Sequence, residues 1–183
     1  PALQVKLVRG ALSSASQENV LAGANVAAIG TGDSGDWEVF QFVEAELVGP
    51  RTYNLRLRLR GQAGTDGVMP QVWAEGARFV LLNGLPRQLE LAASARDVAR
   101  HYRYGVADRA ITDPTYRYKS LAFRGVGLRP YPVCHLSVVE VDGGGSRVTW
   151  TRRTRLDGDS WVQEDVPLNE AKETYSVRVK SNG

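Results

Sequence analysis

Residues 55–64 read LRLRLRGQAG, an aliphatic–arginine alternation that stops at two glycines. In a β-strand successive side chains point to opposite faces, so Tyr53, Leu55, Leu57 and Leu59 fall on one face and Arg56, Arg58 and Arg60 on the other. A helix would scatter these residues around its circumference, because apolar positions two apart make no stripe at a period of 3.6. The segment is therefore expected to be a strand with one core face and one arginine face. The preceding run, WEVFQFVEAELV from Trp37 to Val48, is equally rich in strand formers, and Gly49 and Pro50 turn the chain between the two. An antiparallel hairpin follows, with Glu38, Glu44 and Glu46 placed to pair with the arginines.

A row of arginines can serve nucleic acid, a membrane or a protein neighbour, and overall charge helps to choose. The chain has 23 Lys and Arg against 20 Asp and Glu, a net charge of +3. That is a weakly basic surface whose arginines are offset almost one for one by carboxylates, so no nucleic-acid binding is expected. No run of about 18 apolar residues exists, so no membrane span is expected either. An ion-paired face turned to solvent or to a protein neighbour remains.

With 183 residues, the chain can bury roughly 70% of its unfolded surface and needs neither disulfide nor metal to fold. Its 19 Gly and 8 Pro are spread along the sequence and mark many turns, which favours an all-β fold. The one cysteine, Cys134, cannot form an intrachain disulfide and is expected as a small buried apolar residue. The sequence opens on PALQVKL and closes on ETYSVRVKSNG, a strand pattern in want of a partner, so the chain is read as a segment of a longer polypeptide.

Along the chain, Leu3, Val5 and Leu7 mark a first strand ending by Gly10. The stretch SSASQENVLAGAN suits a short helical turn capped by Ser13 or Ser14, or a loop. Ala24 to Ile29 is expected as a buried strand and TGDSGD as a turn before the long hairpin. Ala77 to Leu82 forms a further strand and Gln88 to Leu91 continues the pattern, with at most one helical turn in Ser94 to Arg100. Tyr102, Tyr104, Tyr116 and Tyr118 flank an ITDP turn, where tyrosines two apart are expected to pack across strands. GVGLRPYP at positions 125–132 reads as a linker, dividing a β-rich domain over residues 1–130 from a second module over 131–183. In the latter, Cys134 to Val141 and Arg147 to Arg153 are two strands joined by DGGGS, with Val148 and Trp150 on one face. Thr174 to Lys180 begins a third, and three strands around a tryptophan suggest half of a β-sandwich.

Catalytic chemistry is thinly supplied. The two histidines, His101 and His135, lie far apart, and HExxH, CxxC and GxSxG are absent. No enzymatic activity and no cofactor are expected. Two acidic loops, with Asp33 and Asp36 and with Asp157 and Asp159, lack the full oxygen series that calcium needs, so no metal is expected. RGQAGTDG carries no lysine or hydroxyl residue at phosphate-loop spacing.

Six blocks in order, LSSASQENVLAGANVAA, WEVFQFVEAELV, RTYNLRLRLRGQAGT, GARFVLLNG, FRGVGLRPYPVCHL and WTRRTRLDGDSWVQEDVPLNEAKETYSV, closely resemble the carboxy-terminal part of a family of large baseplate proteins. These are the megatron, or host specificity, tail-tip proteins of gene transfer agents and related tailed phages. The resemblance covers nearly the whole chain. It implies an irregular, barrel-like β-sheet domain followed by a partial fibronectin type III-like β-sandwich module. It also implies a structural role in the distal tail of a particle that is assembled in the bacterial cytoplasm and acts outside it at the host surface. Partners would be the hub, other distal tail proteins, further copies of the chain and a host cell-surface receptor. The family's amino-terminal part, similar to glycoside-hydrolase-like barrels, has no counterpart in these residues, so no hydrolase activity carries over. In such a setting Arg56, Arg58 and Arg60 become candidate inter-subunit contacts, arginine being suited to carboxylates, carbonyls and aromatic faces. Arg152, Arg153 and Arg155 with Trp161 form a second candidate cluster, for which core packing or intramolecular pairing is the alternative. The competing functional reading is a carbohydrate-binding β-module gripping host glycan with Tyr102, Tyr104, Tyr116 and Tyr118.

Overall fold

The computed structural model describes residues 2–32, 36–84, 86, 88–158 and 165–180. The fold is all-β with several antiparallel sheets, and no sheet closes into a barrel among the described residues. The chain divides into two compact units, Pro1–Leu128 and Arg129–Gly183.

The first unit is built on a five-stranded antiparallel sheet. Its strands are β1 (Leu3–Lys6), β2 (Val26–Gly30), β3 (Trp37–Gly49), β4 (Thr52–Gln62) and β5 (Arg78–Leu81), in the order β1-β4-β3-β2-β5. Gln88 to Leu91, expected to continue the pattern, is not a strand. The core gathers Val5, Leu12, Ala27, Ile29, Phe40, Phe42, Tyr53 and Leu55, with Trp73 and Phe79 packed against it. A separate two-stranded ribbon, β6 (Ala99–Tyr104) with β7 (Arg117–Ala122), completes this unit.

The single α-helix among the described residues, α1 (Gln17–Leu21), is capped by Ser16, whose Oγ accepts from the Asn19 N–H at 3.2 Å. Ser13 and Ser14, the expected caps, lie before the residue that adjoins the helix, and the Ser14 hydroxyl is engaged elsewhere. The Ser13 carbonyl accepts from the Asn25 amide at 3.0 Å, and Ser14 Oγ accepts from the Ala45 N–H at 3.0 Å. These bonds tie the segment to the edge of β3 beyond the end of β2. Buried Gln41 secures the helix from below, donating through Nε2 to the carbonyls of Val20 and Ala24. No helix among the described residues is long and apolar enough to cross a membrane.

The arginine strand departs from simple alternation. Tyr53 and Leu55 are buried as expected, but Leu57 and Leu59 are 56% and 38% exposed. The reason is local: Leu57 has φ +49°, in the left-handed region that a branched side chain seldom adopts. One such residue interrupts the pleat, and the two sides of the strand exchange roles beyond it. Directly opposed residues of an antiparallel pair share a face. Leu55 opposes Ala45, whereas Arg58 opposes core Phe42 and Leu59 opposes Gln41. Arg58 and Arg60 are accordingly both only partly exposed.

In the second unit β8 (Cys134–Glu140) pairs with β9 (Ser146–Thr151) across the DGGGS turn. Val148 and Trp150 share a half-buried face. Cys134 is half-buried and directs its thiol at the Thr151 carbonyl. Thr174 to Lys180, expected as a third strand, joins no ladder. Tyr175, Val177 and Val179 instead share a cavity of about 480 Å³ with Leu136, Val138, Val148 and Trp150. The segment borders this cleft, where Tyr175 meets Trp150, and pairs with neither edge of the hairpin, and only an edge offers backbone groups for a ladder.

Candidate functional site

The strongest polar constellation centres on Glu38, which is 1% exposed on the inner side of β3. Arg60 grips it bidentately, with Nε to Oε1 at 2.8 Å and Nη2 to Oε2 at 2.7 Å. Trp73 donates its indole N–H to Oε2 at 2.6 Å, and the Gly61 N–H reaches Oε1 at 3.3 Å. The arginine then turns its remaining donors to the loop, Nη2 to the Pro70 carbonyl at 2.7 Å and Nη1 to the Gln71 carbonyl at 3.0 Å. Burial on its own would push the Glu38 carboxyl up; hydrogen bonds from Arg60 and Trp73 and the Arg60 charge outweigh it and hold the group below the usual carboxylate range. Its hydrogen bonds to Glu38 in turn raise the Arg60 guanidinium. A carboxylate with four donors on its two oxygens has little capacity left for a substrate proton or a metal. This site is a pin that fastens loop 61–73 to the sheet.

The three strand arginines differ in their surroundings. Arg60, a candidate inter-subunit contact, is committed within the chain. Arg58 lies inward beside it; burial and the neighbouring Arg60 charge lower its guanidinium, against the pull of Glu38. Arg56 faces outward and pairs with Glu46 at 3.0 Å, both side chains being about half exposed. The expected carboxylate partners thus include Glu38 and Glu46. The role of Trp73 was not legible, since a tryptophan in a Pro/Gly-flanked loop 35 residues from its partner has no spacing signature.

In the second arginine cluster, Arg152 and Arg155 are half-buried and paired within the chain, whereas Arg153 is exposed. Arg152 binds Asp165 at 2.8 Å and Glu173 at 2.9 Å and donates to the Val166 carbonyl. Arg155 pairs with Glu170 at 2.7 Å, and its hydrogen bond holds the Glu170 carboxyl below its ordinary range. Arg153 lies over the Tyr131 ring, 4.7 Å from its centre. Glu173 also accepts from the Tyr175 hydroxyl at 2.7 Å, and Tyr175 meets Trp150 edge-on at 4.9 Å. Together these contacts hold 165–175 to the end of β9. Trp161 lies outside the described residues.

The four tyrosines do not converge. Tyr102 and Tyr104 share one face of β6, opposite Lys119 and Arg117. Tyr118 opposes Arg103 on the other face, where its ring stacks on His101 and its hydroxyl meets His101 Nδ1. Tyr116 sits in the connecting turn, its hydroxyl donating to the Val106 carbonyl at 3.0 Å. Of the acidic loops, Asp33 and Asp159 lie outside the described residues, and among the described residues no group of three or more His, Cys, Asp or Glu is arranged to hold a metal.

No curated protein matches this chain. Residues 1–80, which carry α1, β1 to β4 and every member of the Glu38–Arg60–Trp73 pin, match the family described as Rcc01698-like, C-terminal.

Proposed function

We propose that this chain is a structural, non-enzymatic component of the distal tail of a phage or gene transfer agent particle, of the megatron or host-specificity class. In this reading it assembles around the tail hub and supports host attachment. The Rcc01698-like match over residues 1–80 supports it, together with the six ordered blocks that resemble megatron proteins. The observation that supports it in the geometry is the saturation of Glu38: the most deeply buried carboxylate among the described residues has its oxygens taken up in fastening the fold. Outward from that pin, the reversed strand presents Leu57, Leu59 and the Arg56–Glu46 pair to a neighbouring subunit, a mixture of apolar area and arginine suited to a protein contact.

The test is made in particle-producing cells. Antibody against this chain should decorate tail tips, and Arg56→Ala combined with Leu57→Ser and Leu59→Ser should cut tailed-particle yield while the isolated chain keeps its fold. Particles lacking the chain, or full yield and transfer from the triple variant, would refute the reading.

A further inference from the structure

The positive charge of the chain is gathered in one place. Residues 96–124 hold seven Lys and Arg against three Asp, a net +4 within a total of +3, so the rest of the chain is net −1. Two of those aspartates are engaged outside the strands, Asp97 by Arg96 at 3.8 Å and Asp113 by Arg109 at 3.3 Å. The strands β6 and β7 contain no carboxylate and no amide side chain.

Their register is continuous and no residue in either has positive φ, so alternation holds. One face carries Arg100, Tyr102 and Tyr104 from β6 and Arg117 and Lys119 from β7, with Tyr102 across from Lys119 and Tyr104 across from Arg117. The three cations are exposed, and none has an ion-pair partner among the described residues. Tyr104 is 54% exposed.

We propose that this face binds an acidic polysaccharide. Arg100, Arg117 and Lys119 take its carboxylates or phosphates, and Tyr102 and Tyr104 stack on the apolar faces of its sugar rings. Three alternatives fit less well. Neutral glycan hydroxyls call for carboxylate and amide partners, and the strands have none. A protein interface of standard size covers about 800 Å² per partner. Six-residue strands at about 3.4 Å per residue and about 4.8 Å apart offer a face of only about 200 Å². Nucleic acid carries one charge per about 1.7 Å of duplex, whereas the cations here recur about every 7 Å along the ribbon, and the net-negative remainder of the chain adds nothing.

The inference goes beyond the tail reading and is tested without it, on the isolated 183-residue chain. Titration calorimetry at about 0.1 M salt, where surface charges are screened beyond about 10 Å, would use polygalacturonate, a phosphomannan, neutral dextran and single-stranded oligo-dT. Binding of either acidic polymer, with the tighter one naming the anion, and none of dextran, is expected. Arg100→Ala/Arg117→Ala/Lys119→Ala should weaken binding on the order of tenfold or more. Tyr104→Ala, which leaves the charge unchanged, should weaken it several-fold, on the order of 1 kcal/mol or more per stacked ring. Silence toward both acidic polymers, tighter binding of oligo-dT, no effect of Tyr104→Ala, or an equal loss from Arg103→Ala on the reverse face would each overturn it. The tail reading would survive any of these, because it rests on where the chain sits in a particle.

Discussion

The Glu38 pin makes a prediction that its geometry sizes. Arg60→Met removes the bidentate partner of a carboxylate that is 1% exposed and leaves it with Trp73 and Gly61 as donors. Breaking a buried pair from one side costs about 3–5 kcal/mol. The Arg60 side chain is itself 23% exposed, so solvent screening brings the expected loss toward the lower end, about 3 kcal/mol. The Pro70 and Gln71 carbonyls also lose their donor, which contributes to the same figure. Removing both charges in Glu38→Met/Arg60→Met eliminates the stranded carboxylate and leaves the Trp73 and Gly61 N–H groups, beside the Pro70 and Gln71 carbonyls already released by Arg60→Met, without their partners, at about 1 kcal/mol each. The double variant should therefore be more stable than Arg60→Met alone and fall well short of the summed single losses. Hydrogen exchange of peptides from β3 and β4 reads the opening free energy of this sheet apart from residues 129–183. A loss below about 1 kcal/mol for Arg60→Met, or a double variant no better than the sum of the singles, would refute the assignment of Glu38 as a buried, saturated anion.

The same pin sets an acid limit. The folded Glu38 carboxyl lies below its ordinary value, so its contribution is fully present above the unfolded carboxyl value of about 4.3 and is lost as pH falls through the folded value. Acid unfolding of β3 and β4 should be shallower in Glu38→Met/Arg60→Met. In β4, Leu55→Ala should cost about 2–5 kcal/mol. Leu57→Gly should cost little or be stabilising by up to about 1 kcal/mol, because it relieves a left-handed leucine whose side chain is exposed; denaturant midpoints compare the two. Arg152→Gln should release residues 165–175 and speed their hydrogen exchange, since Asp165, Glu173 and the Val166 carbonyl share that one guanidinium. Arg56→Ala should change stability by less than about 1 kcal/mol, its pair with Glu46 being exposed, so any loss of particle assembly in that variant would report contact with a neighbour.

Period-two alternation and turn chemistry made much of this protein legible. The alternation from Tyr53 to Arg60 and the Gly49–Pro50 turn sufficed for the β3–β4 hairpin, and DGGGS between two apolar runs sufficed for β8–β9, because strand pairing across a short turn is a local property. Ion pairing between the Glu38–Glu46 run and the arginines was also readable, as cross-strand neighbours follow from hairpin register. Tertiary structure decided the rest. Whether Leu57 continues the pleat depends on a single backbone angle, and that angle turns Arg58 and Arg60 inward while leaving Leu57 and Leu59 outside. Ser16 rather than Ser13 or Ser14 caps α1, because the helix starts at Gln17 and Ser16 immediately precedes it, while the Ser14 hydroxyl bonds to a group 31 residues away. Thr174 to Lys180 has a strand's alternation but joins no sheet edge. Local pattern specifies which residues want burial, whereas the partner that satisfies a buried charge or an open backbone group comes from distant sequence, and only the folded chain brings the two together.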